Sequence, residues 1–301
     1  MADTGQRLQF IVFSGVKALL FILPRQACLL SGKLLGLAFY HLDKKHRSMA
    51  LANLKIAFGK ERQLSELKRI ARRSFIHFGR VMLDIIKFSR LSDERKASLL
   101  RIEGEENLMS ALEQKRGALL FSAHYGNWEI TPHFLSTRGK LSVVARPLDN
   151  MLIEKVLLKI RTRLGAEVIY KHQATKKILQ SLQQRGMVAF LIDQSVLRQQ
   201  AVFVDFFGKK AATTPSLAAF HLRTGAPLVP AFCYPTSSTS YHLKILRPLV
   251  FHPEGDYERQ VLKITQICTN IIEAQIRQNP DCWFWLHNRW RIKSIRQENE
   301  S

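Results

Sequence analysis

The chain has 301 residues, enough for one large domain or two small ones, and its 46% hydrophobic content can bury a substantial core. Its 46 Lys and Arg against 24 Asp and Glu give a formal charge of +22, which suits nucleic acid, an anionic membrane or a phosphorylated substrate. No zinc-finger, RNP-like or basic-zipper pattern accompanies the charge, so we expect no nucleic-acid partner. The four cysteines are widely spaced and never form CxxC, and the histidines lack a metal-ligand spacing. We therefore expect no disulfide framework, no metal and no cofactor.

Two apolar segments open the chain. Residues 8–23 read LQFIVFSGVKALLFIL, and residues 28–42 read CLLSGKLLGLAFYHL before a basic group of Lys44, Lys45 and Arg47. Sixteen helical residues span about 24 Å, short of a hydrocarbon core of about 30 Å, and Lys17 lies mid-segment. We predict a helical membrane anchor, residues 1–47, that lies in or dips into the cytoplasmic leaflet of a membrane. A soluble hairpin packed on the core is the alternative, and a cleaved signal peptide fits poorly.

The rest of the chain, residues 48–301, is predicted to form one catalytic domain. Apolar residues at helical spacing predict an amphipathic helix over 66–90 with a basic outer face. Beyond it, short apolar runs alternate with longer amphipathic ones. The predicted strands cover 118–122, 141–145, 166–170, 187–192, 201–206, 228–234 and 241–246. The predicted helices cover 105–114, 127–136, 151–164, 174–184, 215–223 and 257–277. This alternation predicts an α/β fold with a mixed, mostly parallel central sheet flanked by helices.

The stretch Ser122–Glu129, SAHYGNWE, carries the most informative chemistry. A buried strand is predicted to end just before His124, at the sheet edge where open α/β folds bind ligands. Residues five apart point about 140° away from each other on one helix, so His124 and Glu129 meet only across a turn, which Gly126 and Asn127 allow. A carboxylate bonded to one imidazole nitrogen raises the basicity of the other. The spacing therefore indicates His124 as a general base oriented by Glu129, although a structural histidine is an open alternative.

In the form SAHYGNWE, the H-x4-E pattern resembles the signature of the bacterial lipid A late acyltransferases, the lauroyl and myristoyl transferases. Further blocks in the same order are similar to the family's: Asn53–Phe58, Ala145–Asn150, Asp193–Gln194, Val204–Gly208, Thr213–Pro215 and Trp285–Trp290. The resemblance implies a glycerol-phosphate-acyltransferase-like fold, an acyl carrier protein (or coenzyme A) thioester as donor and a phosphorylated glycolipid, a lipid A precursor, as acceptor. It also implies His124 as general base with Glu129 as its orienting partner and no covalent intermediate.

Four further residues are candidates for substrate binding. Arg146 closes a predicted strand, where its guanidinium could hold a phosphate or form a surface ion pair with Asp149 or Glu154. Asp193 closes another strand and could bind an acceptor hydroxyl or cap the next loop. We also predict substrate contacts for Asn127, in the His124 turn, and Thr214, which first suggests a helix cap.

Two aromatic groups have open interpretations. Phe206 and Phe207 could line an acyl tunnel or belong to the core. The tryptophans of residues 283–290 could lie at a membrane interface or pack inside the protein.

Three functions are compatible with these features. The first is acyl transfer to a lipid A precursor. The second is acylation of another membrane lipid, such as a lysophospholipid or aminolipid, which an unchanged lipid A in a deletion strain would favour. The third is a non-catalytic basic protein bound to membrane or nucleic acid, which tight DNA binding without acyl transfer would favour.

Overall fold

The computed structural model describes residues 4–170, 174–237, 239–252 and 255–291. Its strands are β1 (Leu100–Glu103), β2 (Ala118–Ser122), β3 (Leu141–Ala145), β4 (Ala166–Tyr170), β5 (Met187–Leu191), β6 (Val202–Phe206), β7 (Lys209–Thr213), β8 (Leu228–Pro235) and β9 (Tyr241–Ile245). Seven of them form a central sheet in the order β1-β9-β8-β2-β5-β3-β4. Five run parallel, and β9 pairs antiparallel with β8 while β1 follows the direction of β9. The predicted α/β fold with a mixed, mostly parallel sheet is confirmed.

Helices cover both faces of this sheet. They are α1 (Thr4–Ile22), α2 (Arg25–Leu42), α3 (Lys44–Phe58), α4 (Leu64–Phe88), α5 (Asp93–Ser98), α6 (Glu105–Glu113), α7 (Thr131–Ser136), α8 (Met151–Arg163), α9 (Ala174–Gln183), α10 (Ser216–Thr224) and α11 (Tyr257–Gln278). The predicted boundary at residue 47 falls inside α3 and stays a prediction.

Strand β2 is buried on both faces, as the apolar run ALLFS predicts. Leu119 and Phe121 enter one core with α10, α11 and the first half of α4. Ala118 and Leu120 enter a second core with α6, α7 and the second half of α4. Burying each large apolar side chain contributes about 1.5–3 kcal/mol, so the strand that leads to His124 is held firmly from both sides.

The backbones of α2 and α4 touch, because three glycines face each other where they cross. A Cβ on Gly36 would lie 2.3 Å from the carbonyl oxygen of Phe75, and one on Gly79 would lie 2.3 Å from that of Gly32. No side chain fits in these positions, since van der Waals contacts between carbon and oxygen lie beyond 3 Å. The second apolar segment of the chain is thus packed tightly onto the long amphipathic helix.

Helix α1 is attached more loosely and exposes an apolar face. Leu20 is buried, but one side of the helix carries exposed large apolar residues: Leu8, Ile11, Val12, Val16, Leu19 and Ile22. Helix α2 adds Leu30, Leu34, Phe39 and Leu42. By length and composition, α1 is the one helix in the described part of the chain that could cross a membrane. Such a continuous apolar surface is typical of contact with lipid or another protein.

The structure corrects several predicted elements. The strand expected over 201–206 belongs to a separate hairpin of β6 and β7, not to the central sheet. The helix expected from Asn127 begins only at Thr131, because residues 124–130 are held in a turn. Strands β1 and β7 were not predicted, since LRIE and KKAAT are short and carry charged residues.

The two open aromatic groups belong to the core. Phe206 and Phe207 are 1% and 6% exposed, and Trp283 and Trp285 are 1% and 0% exposed. Trp283 and Trp285 pack edge to face at a centroid distance of 4.5 Å. The core interpretation therefore applies to both groups: Phe206 and Phe207 pack inside the protein, and the tryptophans do not lie at its surface.

Candidate functional site

His124 and Asp193 meet at the carboxyl edge of the sheet. They follow the adjacent parallel strands β2 and β5, which pair with Ser122 opposite Leu191. The imidazole Nδ1 of His124 lies 2.9 Å from Asp193 Oδ1, and the backbone N–H of His124 donates to Oδ2 at 3.0 Å. The indole Nε1 of Trp283 donates to the same Oδ2 at 2.8 Å. One buried carboxylate therefore fixes both the backbone and the ring of His124.

The charge state of Asp193 determines the tautomer of the imidazole. Burial by itself would raise the pKa of this carboxyl, but the charge and hydrogen bonds of His124 and the hydrogen bond from Trp283 outweigh burial and hold the pKa at about 2. Asp193 is thus ionised at neutral pH and can only accept hydrogen bonds. Nδ1 of His124 therefore donates to the carboxylate, and Nε2 is the ring nitrogen that remains for a substrate proton.

The imidazole of His124 is partly exposed and lies among aromatic side chains. The His124 side chain is 23% exposed. Its ring lies edge-on to Trp128 at 5.2 Å and 6.3 Å from Phe284, and Phe78 packs against both of these rings. The side-chain amide of Gln194 lies 3.4 Å from Nε2, at the outer limit of a hydrogen bond, so an incoming hydroxyl can displace it.

Glu129 binds Arg161 of α8 instead of His124, which corrects the predicted pairing. Its carboxylate accepts from Arg161 Nη2 at 2.6 Å and from Nε at 3.1 Å. Both side chains are largely buried, at 9% and 14% exposed. Residues 124–130 form a turn that aims Glu129 towards α8, away from the strand end where His124 lies. The carboxylate that orients His124 is Asp193, which we had predicted as a substrate or capping residue.

The turn has this shape because three of its backbone groups are bonded to other elements. Gly126 has a φ of +61°, and a Cβ there would lie 1.8 Å from the carbonyl oxygen of Cys233, so only glycine fits. Its N–H donates to the carbonyl of Cys282 at 2.9 Å, and the N–H of Asn127 donates to that of Cys233 at 2.7 Å. Burial lowers the pKa of His77, so its ring is neutral and Nε2–H donates to the Gly126 carbonyl at 3.0 Å.

The remaining predicted residues lie in different surroundings. Arg146 is exposed at the end of β3 and, within the described ranges, forms no ion pair with Asp149 or Glu154. Asn127 is fully buried and its side-chain amide lies 3.4 Å from Asp84 Oδ2, and its predicted contact with substrate stays a prediction. The hydroxyl of Thr214 accepts from the N–H of Ser216, the first residue of α10, at 3.3 Å.

Sequence reasoning missed Arg161 and Trp283 as site residues. Trp283 lies two residues before the recognised terminal block, which was a usable signal, whereas nothing local marks Arg161 among the many basic residues of the chain. In the part of the chain that the structure describes, no three His, Cys, Asp or Glu side chains form a group that could hold a metal ion. The surroundings of His124 support proton transfer, because an ionised carboxylate orients its ring and aromatic side chains lie beside it.

Comparison with known proteins gives consistent relatives. A family model described as bacterial lipid A biosynthesis acyltransferase matches residues 4–292. The chain is 23% identical to the lipid A biosynthesis palmitoleoyltransferase of Escherichia coli (strain K12) over 283 residues, which cover 93% of this chain and 90% of the relative. It is 25% identical to the lipid A biosynthesis lauroyltransferase of the same strain over 281 residues, with the same two coverages.

Two other similarities lie outside lipid A synthesis. The phosphatidylinositol mannoside acyltransferase of Mycolicibacterium smegmatis is 25% identical over 226 residues, which cover 73% of this chain and 72% of the relative. Among solved structures, the 1-acyl-sn-glycerophosphate acyltransferase of Thermotoga maritima aligns with a TM-score of 0.36 and 16% identity, covering 83% of this chain and 98% of that chain.

Proposed function

The chain belongs to the bacterial lipid A biosynthesis acyltransferase family, and from that premise we propose that it moves a fatty acyl group from a thioester to a hydroxyl of a lipid A precursor. The observation that carries the proposal is the His124–Asp193 pair, with Nδ1 bonded to a buried carboxylate and the ring itself partly exposed. An imidazole oriented in this way suits the activation of an alcohol.

In the proposed reaction, Nε2 of His124 accepts the proton of the acceptor hydroxyl. The oxygen then attacks the thioester carbonyl carbon, and the carbonyl electrons move onto oxygen to give a tetrahedral intermediate. When that intermediate collapses, the carbon–sulfur bond breaks and the leaving thiolate takes the proton back from the imidazolium. Asp193, whose pKa is held at about 2, stays ionised and stabilises the transient imidazolium by its negative charge.

The donor and acceptor are proposed from membership of the family, and the charge of the chain is compatible with both. Acyl carrier proteins are acidic and lipid A precursors carry phosphates, and both suit a chain with a formal charge of +22. Arg146, exposed at the carboxyl end of β3 without an ion-pair partner in the described ranges, is positioned to bind a phosphate of either substrate. A substrate contact of Thr214 stays a prediction. Coenzyme A thioesters are the alternative donors.

The proposed place of action is the cytoplasmic face of the bacterial inner membrane. The apolar outer faces of α1 and α2 would enter the lipid, and the basic residues after Leu42 would meet anionic headgroups. An enzyme held in this way receives its water-soluble donor from the cytosol and its lipid acceptor from the leaflet.

The test is a transfer assay with the purified full chain in detergent, using acyl carrier protein and coenzyme A thioesters and a lipid A precursor, with products identified by mass spectrometry. We expect acylated precursor from the wild type and none above background from His124→Ala. His46→Ala is the matched control, because His46 lies on α3 with 43% of its side chain exposed and pairs only locally with Asp43. Wild-type transfer by His124→Ala would contradict the mechanism.

A second acceptor class has one observation in its favour. The similarity to a phosphatidylinositol mannoside acyltransferase shows that relatives of this chain include an enzyme for a different glycolipid. Lipid mass spectrometry of a deletion strain separates the two cases. Unchanged lipid A together with under-acylated phospholipids or other glycolipids would favour the second acceptor class.

A further inference from the structure

A buried carboxylate lies behind the turn that carries His124 and Glu129. Asp84, on α4, is completely buried. Arg25, the first residue of α2, binds it side-on, with Nε 2.7 Å from Oδ1 and Nη2 2.9 Å from Oδ2. The hydroxyl of Tyr241 in β9 donates to Oδ2 at 2.7 Å, and the amide of Asn127 lies 3.4 Å from the same oxygen. Asp84 therefore joins α2 to β9 by short hydrogen bonds and contacts the 124–129 turn by a longer one.

The hydrogen bonds at Asp84 have a fixed direction. Burial, followed by the negative charge of Asp84, raises the pKa of Tyr241 well above its ordinary value, so the phenol keeps its proton and donates. Arg25 has a side chain only 10% exposed and supplies two parallel N–H donors. A carboxylate buried to this depth depends on such partners, since an unpaired charge in the interior is strongly unfavourable.

Asn127 links this group to the reacting residues. It lies between His124 and Glu129, and its own N–H is bonded to Cys233 of β8. Its side chain is fully buried, so it acts on the turn from the interior. A shift of the Asn127 side chain would rotate the turn, and with it the side chains of His124 and Glu129. The contact between Asn127 and Asp84 therefore helps to fix the position of the His124 imidazole relative to the Glu129–Arg161 ion pair.

Arg25 connects the same carboxylate to the start of the chain. It follows Pro24 at the break between α1 and α2, and its Nη1 also donates to the backbone carbonyl of Thr239 in the β8–β9 connection. The junction between α1 and α2, the helices with exposed apolar faces, is thus hydrogen-bonded to the Asp84 carboxylate, which also contacts the 124–129 turn.

We propose that Asp84, paired with Arg25, is a positioning residue for the transfer reaction, which holds the 124–129 turn in its reactive geometry and connects it to the α1–α2 junction. The proposal rests on the proposed function of His124. A loss of this bond would leave donor binding intact and slow the chemical step, because a misplacement of about 1 Å in a reacting group can cost about 100-fold in rate.

The test compares kcat and KM of full-length variants in one detergent. Asp84→Asn should lower kcat by about 100-fold while KM for the thioester stays within about twofold. Tyr241→Phe removes one hydrogen bond to Asp84 and keeps the ring, so it should lower kcat less. If Asp84→Asn does not fold, the kcat of Tyr241→Phe tests the proposal in its place. Arg25→Lys should recover most of the kcat lost in Arg25→Gln, since it restores a cation beside the carboxylate.

The control separates positioning from loss of stability. Gly225→Ala, at a φ of +67° where α10 ends, strains the fold away from α2, α4 and the Asp84 group, so it should lower the thermal midpoint and keep kcat. The proposal is overturned if Asp84→Asn and Tyr241→Phe both keep wild-type kcat, or if kcat follows the thermal midpoint alike in all variants. If His124→Ala also transfers acyl groups at the wild-type rate, the proposed function has failed; if only the Asp84 variants are unaffected, this proposal alone has failed.

Discussion

Replacing Asp193 with Asn tests the orientation of His124 most directly. The pKa of Asp193 is held at about 2 against an ordinary value of 3.8, which corresponds to about 2 kcal/mol of preference for the charged form. The carboxylate accepts three N–H groups, two from His124 and one from Trp283. An amide has one accepting oxygen and would set its NH2 against one of these donors, so the imidazole would lose its fixed tautomer.

We expect Asp193→Asn to lower kcat by about 100-fold or more with a small change in KM, because the imidazolium that forms in the reaction loses its counter-charge. The assay is steady-state transfer with the purified chain over a range of pH, with Glu129→Gln as the matched carboxylate-to-amide control. The reasoning would be refuted by an Asp193→Asn enzyme with kcat within threefold of wild type, alongside a Glu129→Gln enzyme with an altered pH profile. That result would restore Glu129 as the partner of His124.

The same carboxyl group gives a pH dependence of stability. Its pKa in the folded protein is lower than in the unfolded chain, so its contribution is fully present above about pH 4 and is lost as the pH falls towards 2. The thermal midpoint of the wild type should therefore exceed that of Asp193→Asn at pH 5, and the two should converge near pH 2. A gap that stays constant over this range would show that the stabilisation does not come from ionisation of Asp193.

Three further changes test other contacts. Gly36→Ala should lower the free energy of unfolding by about 1–3 kcal/mol by forcing α2 from α4, measured as a thermal midpoint, whereas Gly15→Ala, which meets nothing within 4 Å, should not lower it. Glu129→Ala should destabilise the fold by about 3–5 kcal/mol, because it leaves the buried guanidinium of Arg161 unpaired. A Glu129→Met/Arg161→Met double variant should lose less stability, and an equal loss would show that lost packing is the cause. Trp283→Phe removes one donor to the carboxylate behind His124, so kcat should fall by about 10-fold, and an unchanged kcat would mean that this donor is dispensable.

Much of the fold was predictable because it depends on local pattern. The run ALLFS is buried on both faces, and a strand with that composition can only lie inside a sheet, so β2 and the position of His124 at its end followed from the sequence. The helix over 66–90 followed from its apolar spacing in the same way. Arg146 and Asp193 were also placed correctly at strand ends, because the end of an apolar run marks the edge of the sheet.

Which carboxylate meets His124 could not be read from spacing. Glu129 is five residues away and Asp193 is 69 residues away, yet the distant one makes the bond. The sheet order decides this, because it brings β5 beside β2 and aligns their ends. The direction of Glu129 is decided by a turn whose backbone bonds go to Cys233 and Cys282, two residues on other elements.

Composition and local periodicity thus determined that this chain would form a mostly parallel α/β sheet, with a histidine at a strand end and an apolar, basic N-terminal region. The tertiary structure alone decided the partners: Asp193 for His124, Arg161 for Glu129 and Arg25 for Asp84. Propensity and burial act over a few residues and leave a trace in the sequence, whereas the direction of a polar side chain in a turn is set by distant groups that the fold brings to it.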